Sequence, residues 1–211
     1  MIVMKFGGSS VANAERIRQM AEIVKTQLER RPILVLSAMG DTTDHLLEAA
    51  DAALTKGVVH LEKIEELHLN TVIELNLGDR GLRSVRPLFD ELKNLIMGIS
   101  LIRELTGRTR DYLVSFGERL SVRIAAAYFN SIDIKAKALD AWDAGFISDS
   151  NYTQAELTQE SWNLIPSKLL PPASECILQV VTGFIAKDEK GNISTLGRGG
   201  SDLSGTMIGA S

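Results

Sequence analysis

Short, fully apolar runs alternate along this chain with longer segments in which apolar residues recur every three or four positions. Ile2, Val3 and Met4 form the first run and read as a buried strand. Asn13 then offers a helix cap, and Ile17, Met20, Ala21, Val24 and Leu28 fall on one helical face. Arg30–Pro32 ends that helix. Ile33–Leu36 is continuously apolar, as expected of a parallel strand covered on both sides. Leu46, Leu47, Ala50, Ala53 and Leu54 carry a second helix to Gly57. Strand–helix–strand units of this kind predict a right-handed crossover in a parallel sheet.

The pattern changes over residues 58–110. Val58–Leu77 reads as a charged amphipathic helix and L-G-D-R-G as a turn. Pro87–Leu105 reads as a second helix, with a stripe from Leu88 and Leu92 through Leu95, Ile96 and Ile99 to Ile102. Two long helices without an intervening strand suggest an insertion on the sheet. Tyr112–Asn130 predicts a further helix and Ile132–Ala138 a half-exposed strand. A polar loop follows over 139–157, with a short strand at Gly145–Ile147. Ser161–Leu169 reads as a helix closed by Pro171–Pro172, and Ile177–Val181 as a buried strand. D-E-K-G-N (188–192) is a hairpin turn returning through Ile193–Leu196, and a last helix starts near Ser201.

Composition narrows the function classes. The 211 residues carry a net charge of −4, which argues against a nucleic-acid or anionic-membrane surface. Hydrophobic residues at 45% and charged residues at 24% are those of an ordinary soluble domain. Cys176 is the single cysteine, so an internal disulfide is excluded and a cysteine zinc site is not expected. No apolar run reaches membrane-spanning length, and Met1 leads into a strand and not a leader, so a cytoplasmic location is expected. His45, His60 and His68 show no ligand-like spacing, and no metal site is expected.

Four stretches carry candidate chemistry. In M-K-F-G-G-S-S (4–10), Gly7 and Gly8 open the backbone at a strand-to-helix turn, beside the charge of Lys5 and the hydroxyls of Ser9 and Ser10. Such a turn suits phosphate, although glycine pairs also serve topology alone. S-A-M-G-D-T-T-D (37–44) places a second loop of small donors at the next strand end, where open α/β sheets bind ligands. In S-F-G-E-R-L-S (115–121), Gly117 costs about 1 kcal/mol within a helix. Glu118 beside it is either a helix-terminal carboxylate or one delivered into a pocket. In T-L-G-R-G-G-S-D (195–202), Arg198 supplies a planar fork for a carboxylate or phosphate amid three glycines. A dinucleotide fingerprint fails there for want of the third glycine and the acidic ribose partner, and no P-loop motif occurs anywhere.

Together, K-F-G-G-S-S (5–10), S-A-M-G-D-T-T-D (37–44), R-T-R-D-Y-L-V-S-F-G-E-R-L-S (108–121) and V-T-G-F-I-A…T-L-G-R-G-G-S-D (181–202) resemble the aspartate kinases of the amino-acid kinase superfamily. The resemblance runs in order over essentially the whole chain. Ser9 stands where threonine is common, which keeps the hydroxyl. The resemblance implies a three-layer α/β/α sandwich with a mainly parallel central sheet and a helical insertion at about 58–110. It also implies that 1–211 is the N-terminal, substrate-binding part of a catalytic domain, without the nucleotide-binding half and ACT regulatory domains. The 211-residue chain by itself is therefore expected to be inactive and prone to self-association.

The activity implied is phosphoryl transfer from ATP, with Mg2+, to the side-chain carboxylate of L-aspartate, the first step of lysine, threonine and methionine biosynthesis, in a homodimer. That carboxylate is ionised at neutral pH, so positioning and charge neutralisation suffice without a general base. By the same resemblance Lys5 and Asp202 are catalytic, and Lys5, Phe6, Gly7, Gly8 and Ser9 hold the phosphates. Ser37, Ala38, Thr43, Glu118, Phe184, Arg198, Gly199 and Ser201 hold aspartate, with Glu118 on its ammonium and Arg198 on its α-carboxylate. Two rivals are a non-catalytic substrate-binding fragment and a sibling kinase for another acid such as acetylglutamate. An acetylated amine has no charge for Glu118 to pair.

Overall fold

A computed structural model describes residues 1–169 and 177–211. Pro171–Pro172, expected to close a helix, and Cys176 lie outside the described residues. The strands β1 (Ile2–Phe6), β2 (Pro32–Leu36), β3 (Ala136–Leu139) and β5 (Leu178–Thr182) form one parallel sheet in the order β1-β2-β5-β3. Met4 lies beside Leu34, and Val180 lies between Leu34 and Ala138. A smaller sheet, β4 (Ile147–Ser148), β6 (Ile185–Asp188) and β7 (Ile193–Thr195), adds the expected hairpin.

The strand period of two explains the layers. Leu34 and Leu36 of β2 point into one core, while Ile33 and Val35 point into a second core on the other face. All five β2 residues are buried, which is why the run carries no polar position. The first core is covered by α1 (Ala14–Lys25), α2 (Thr42–Lys56), α3 (Glu62–Glu74), α4 (Gly78–Ile102) and α5 (Gly107–Ser131). The second packs under α6 (Gln159–Leu169) and α7 (Gly200–Ala210). This is the three-layer α/β/α arrangement.

The expected turn at L-G-D-R-G is instead the first turn of α4, and Pro87 lies inside that helix. Pro87 and Arg83 are both exposed, so water can serve the carbonyl that the missing N–H leaves free. Gly81 is a packing glycine: a Cβ there would lie 2.8 Å from Val72 Cγ1. The helix stops at Ile102, short of Leu105, because Arg103 turns left-handed (φ 56°). From there its guanidinium donates to the carbonyls of Leu54 and Thr55 at the end of α2.

Helix α5 begins five residues before the expected Tyr112, with Thr106 accepting from Thr109 N–H. Strand β3 starts at Ala136, because α5 runs to Ser131 and the chain then turns through Asp133 (φ 62°). The Asn13 cap is formed, its side chain accepting from Arg16 N–H at 3.0 Å. Asp41 precedes α2 without a side-chain cap bond.

Candidate functional site

The carboxyl ends of β1, β2 and β5 hold the candidate loops together. Ser37 N–H donates to Phe6 O at 3.1 Å and Gly183 N–H to Leu36 O at 2.9 Å, extending the strand ladder past the sheet. Gly40 N–H donates to Gly8 O at 3.1 Å. A Cβ on Gly8 would stand 2.9 Å from Ala38 O, so the first two loops touch only because that residue is glycine.

Helix α7 closes the same edge from the other face. Lys5 leaves β1 opposite Met4 and Phe6, and its Nζ pairs with Asp202 Oδ1 at 2.9 Å. Ser37 Oγ donates to Ser201 Oγ at 3.1 Å. Gly197 (φ 69°) and Gly199 (φ 78°) take left-handed backbone that side chains resist, which turns Arg198 outward at the mouth. Phe184 also holds a left-handed conformation (φ 68°), with its N–H on Ser204 Oγ at 3.1 Å and its ring against Gly200. A bulky residue in that region is strained, and such strain gathers at ligand sites.

Glu118 enters from α5. The oddity of Gly117 has a packing cause: a Cβ there would lie 2.7 Å from Ala38 Cβ, so glycine lets α5 press on the β2–α2 loop. Pressed in this way, Glu118 Oε1 accepts the Ala38 N–H at 3.1 Å, while Oε2 is buried without a partner among the described residues. The residue is only 3% exposed. Burial pushes its carboxyl up to about 8, against the opposing pull of the Ala38 N–H. A helix-terminal carboxylate would be neither so enclosed nor so far along a 25-residue helix.

Lys5, Thr43, Glu118, Phe184, Arg198 and Asp202 thus line one cleft of about 330 Å³, with Ser37, Gly199 and Ser201. The other expected residues stand outside its lining. Phe6 packs into the first core, Ala38 acts from behind through its N–H, and Gly7, Gly8 and Ser9 form the adjoining rim. Among the described residues, no group of three or more His, Cys, Asp or Glu could hold a metal ion. His68 is buried, its Nδ1 on Ile64 O at 2.7 Å, and His60 is exposed beside Glu62, so both are structural or solvated.

Sequence reasoning missed the braces. Gly183 admits Ser201, whose Oγ a Cβ would meet at 2.8 Å. Asp111, fully buried, accepts from Thr153 N–H and from both the N–H and hydroxyl of Thr195. Its only sequence signal is an acidic residue on the inward face of a helix. Among the described residues, no helix is long and apolar enough to cross a membrane.

Known proteins share the sequence pattern and the fold. The model of the amino acid kinase family matches residues 1–211. Aspartokinase 1, chloroplastic, of Arabidopsis thaliana is 45% identical over 98% of the chain, which covers 37% of that protein. The aspartate kinase of Pseudomonas fluorescens is 30% identical over the full chain, which covers 39% of it. Escherichia coli aspartokinase III with lysine and aspartate superposes with a TM-score of 0.87 at 26% identity, over 99% of this chain and 46% of that one. The same enzyme with aspartate and ADP gives 0.86 at 25% identity, with the same coverage. The chain therefore spans about two fifths of the length of the curated relatives it matches.

Proposed function

The chain belongs to the amino acid kinase family, and on that footing we propose that it is the substrate-binding part of an aspartate kinase. The reaction is transfer of the γ-phosphoryl of ATP to the side-chain carboxylate of L-aspartate, giving 4-phospho-L-aspartate. One observation carries the reading. A buried carboxyl with one oxygen unpartnered among the described residues (Glu118 Oε2) and an outward guanidinium (Arg198) face the same cleft as the Lys5–Asp202 pair. An α-amino acid needs an anion for its ammonium and a fork for its carboxylate. A phosphoryl acceptor also needs a cation at its reacting end.

In this arrangement Glu118 Oε2 takes the ammonium and Arg198 the α-carboxylate, with Ser37, Ala38, Thr43, Phe184, Gly199 and Ser201 shaping the cleft. That leaves the side-chain carboxylate directed at Lys5. Lys5 neutralises charge on the phosphoryl group as it moves, and Asp202 holds the Lys5 ammonium in place. The rim of Gly7, Gly8 and Ser9, which follows Phe6 at the end of β1, presents N–H and hydroxyl donors suited to the ATP phosphates. Mg2+ would arrive on those phosphates and add positive charge there, and Asp202 is the carboxylate nearest the Lys5 end of the cleft. The relatives' solved complexes with aspartate and ADP support this choice of ligands. The cytoplasm and a homodimer complete the proposal.

The test is calorimetric titration with L-aspartate and N-acetyl-L-aspartate. Aspartate should bind and the N-acetyl compound should not, and Glu118→Gln should lose most of the preference. Equal binding of the two acids would return Glu118 to a structural role and favour a sibling kinase.

A further inference from the structure

One residue beyond Glu118 on α5, Arg119 faces a second cleft, of about 520 Å³, between α4, the first turns of α5, Trp142 and the β6–β7 hairpin. Its walls are fixed to one another. The Arg119 side chain, nine-tenths buried, donates through both terminal nitrogens to Glu91 at 3.2 and 3.1 Å, and the Tyr112 hydroxyl donates to the same carboxylate. That ties α4 to α5. Asp111 ties α5 to β7, since Thr195 N–H and hydroxyl each reach it at 2.9 Å. Asp188 closes the hairpin by accepting from Tyr152 and from the Asn192 N–H at 2.8 Å each. A cleft built this way keeps its shape before anything enters, which lowers the ordering cost of binding.

The charge in the cleft is unbalanced. Among the described residues Glu91 is its only carboxylate, and it is already engaged by Arg119 and Tyr112. Lys187 Nζ sits 4.1 Å above the Trp142 ring, and neither it nor Arg108 has an ion-pair partner among the described residues. Two uncompensated cations thus face one space in a chain whose net charge is −4. Leu95, Tyr112 and Ile193 supply apolar surface beside them. A bare inorganic ion would leave that surface wet, whereas the volume suits a small organic molecule.

We infer that this second cleft binds a small organic carboxylate. The apolar body of the ligand lies against Leu95, Tyr112 and Ile193, and its carboxylate lies between Lys187 and Arg108. The site shares no lining residue with the first cleft and does not depend on the kinase reading.

Trp142 reports on it directly. The chain has two tryptophans, so Trp162→Phe leaves Trp142 as the sole indole emitter. Drawing Lys187 off its ring onto a carboxylate should change the emission. Titration with phenylacetate should give a saturable change that the neutral isostere phenylacetamide does not give. Lys187→Gln should weaken binding by about 10-fold or more, as loss of a charge-assisted contact does. Arg108→Gln, at an exposed position where the fold is not at risk, should weaken it too. Saturating L-aspartate should leave the titration unchanged. The inference is overturned by an equal response to the amide, by wild-type affinity in both variants, by displacement with aspartate, or by no saturation.

Discussion

The backbone N–H of Ala38 donates to Oε1 of Glu118 and leaves Oε2 buried without a partner among the described residues. Titratable groups on the elements around this carboxyl include Lys5 on β1, Asp41, Asp44 and His45 at the start of α2, Arg198 just before α7, Asp202 in the first turn of α7, and Arg119 on α5 itself. None forms an ion pair with it among the described residues. With its pKa pushed up to about 8, Glu118 is mostly protonated at pH 7 in the ligand-free protein. An ammonium ligand favours the ionised form, so aspartate should bind with release of close to one proton. Affinity should then rise about 10-fold per pH unit below pH 8. Calorimetry in two buffers of different ionisation heat measures the proton directly, and no buffer dependence at pH 7 would refute the linkage.

The same shift has a sign for stability. Glu118 is held above its unfolded value of 4.5, so between pH 4.5 and 8 the unfolded chain ionises it and the folded chain does not. Stability of the ligand-free protein should therefore fall as pH rises through that window. Glu118→Gln mimics the protonated form. It should raise the melting temperature at pH 8, change it little at pH 5, and weaken aspartate binding about 10- to 150-fold through loss of a charge-assisted contact. A variant less stable than the parent at pH 8 would contradict this.

His68 works in the opposite direction. It is buried beside Phe89 with Nε2 unpartnered among the described residues, and burial depresses its pKa to about 4. The unfolded chain protonates His68 near pH 6.5, so the folded state loses up to roughly 3 kcal/mol from this group as pH falls from 6.5 to 4. His68→Leu should flatten that acid limb in urea titrations. A parallel loss in the variant would place the acid sensitivity elsewhere.

Gly117 and Ala38 should behave as a coupled pair. Gly117→Ala gains up to about 1 kcal/mol of helix propensity, but its Cβ would stand 2.7 Å from Ala38 Cβ. Overpacking of that kind costs about 1–3 kcal/mol. It should also push the 37–40 loop off Glu118 and weaken aspartate binding. Adding Ala38→Gly should restore both stability and binding. A double variant no better than the single would mean that the clash lies elsewhere.

What the sequence revealed was local. Lys5, Gly8 and Arg198 sit in short runs whose residue types state a chemistry, and the short, continuously apolar run of β2 between turn signals stands apart from the long 3.6-period stripe of α5. The errors arose where a local signal has a distant cause. Gly81 reads as a turn glycine until α3 is packed against it, and Pro87 reads as a helix start until Arg83 is seen to face solvent. Asp111 binds Thr195, 84 positions away, and Arg103 reaches back to α2, so neither has a partner within any sequence window. Gly117 looked costly in the helix because Ala38, which it accommodates, lies far off in the chain.

The Lys5–Asp202 pair separates binding from chemistry. Nζ and Oδ1 stand 2.9 Å apart, but the side chains are 31% and 72% exposed, so solvent screens the pair and its share of stability is under about 1 kcal/mol. Lys5→Ala and Asp202→Asn should therefore melt close to the parent protein. On the proposed reading, aspartate is held by Glu118 and Arg198, at the other end of the cleft, so its dissociation constant should stay within about twofold in both variants. Turnover should respond differently. A preorganised cation at the moving phosphoryl group contributes about 10²- to 10³-fold to kcat, and Lys5→Ala should lose at least that much in an enzyme carrying this chain. Asp202→Asn keeps the Lys5 charge and loses only its anchor, so it should fall between the parent and Lys5→Ala. Steady-state kinetics beside aspartate calorimetry separates the two effects. If Lys5→Ala weakened aspartate binding and left kcat unchanged, Lys5 would be a substrate ligand, and the cation at the phosphoryl group would have to be sought among other residues.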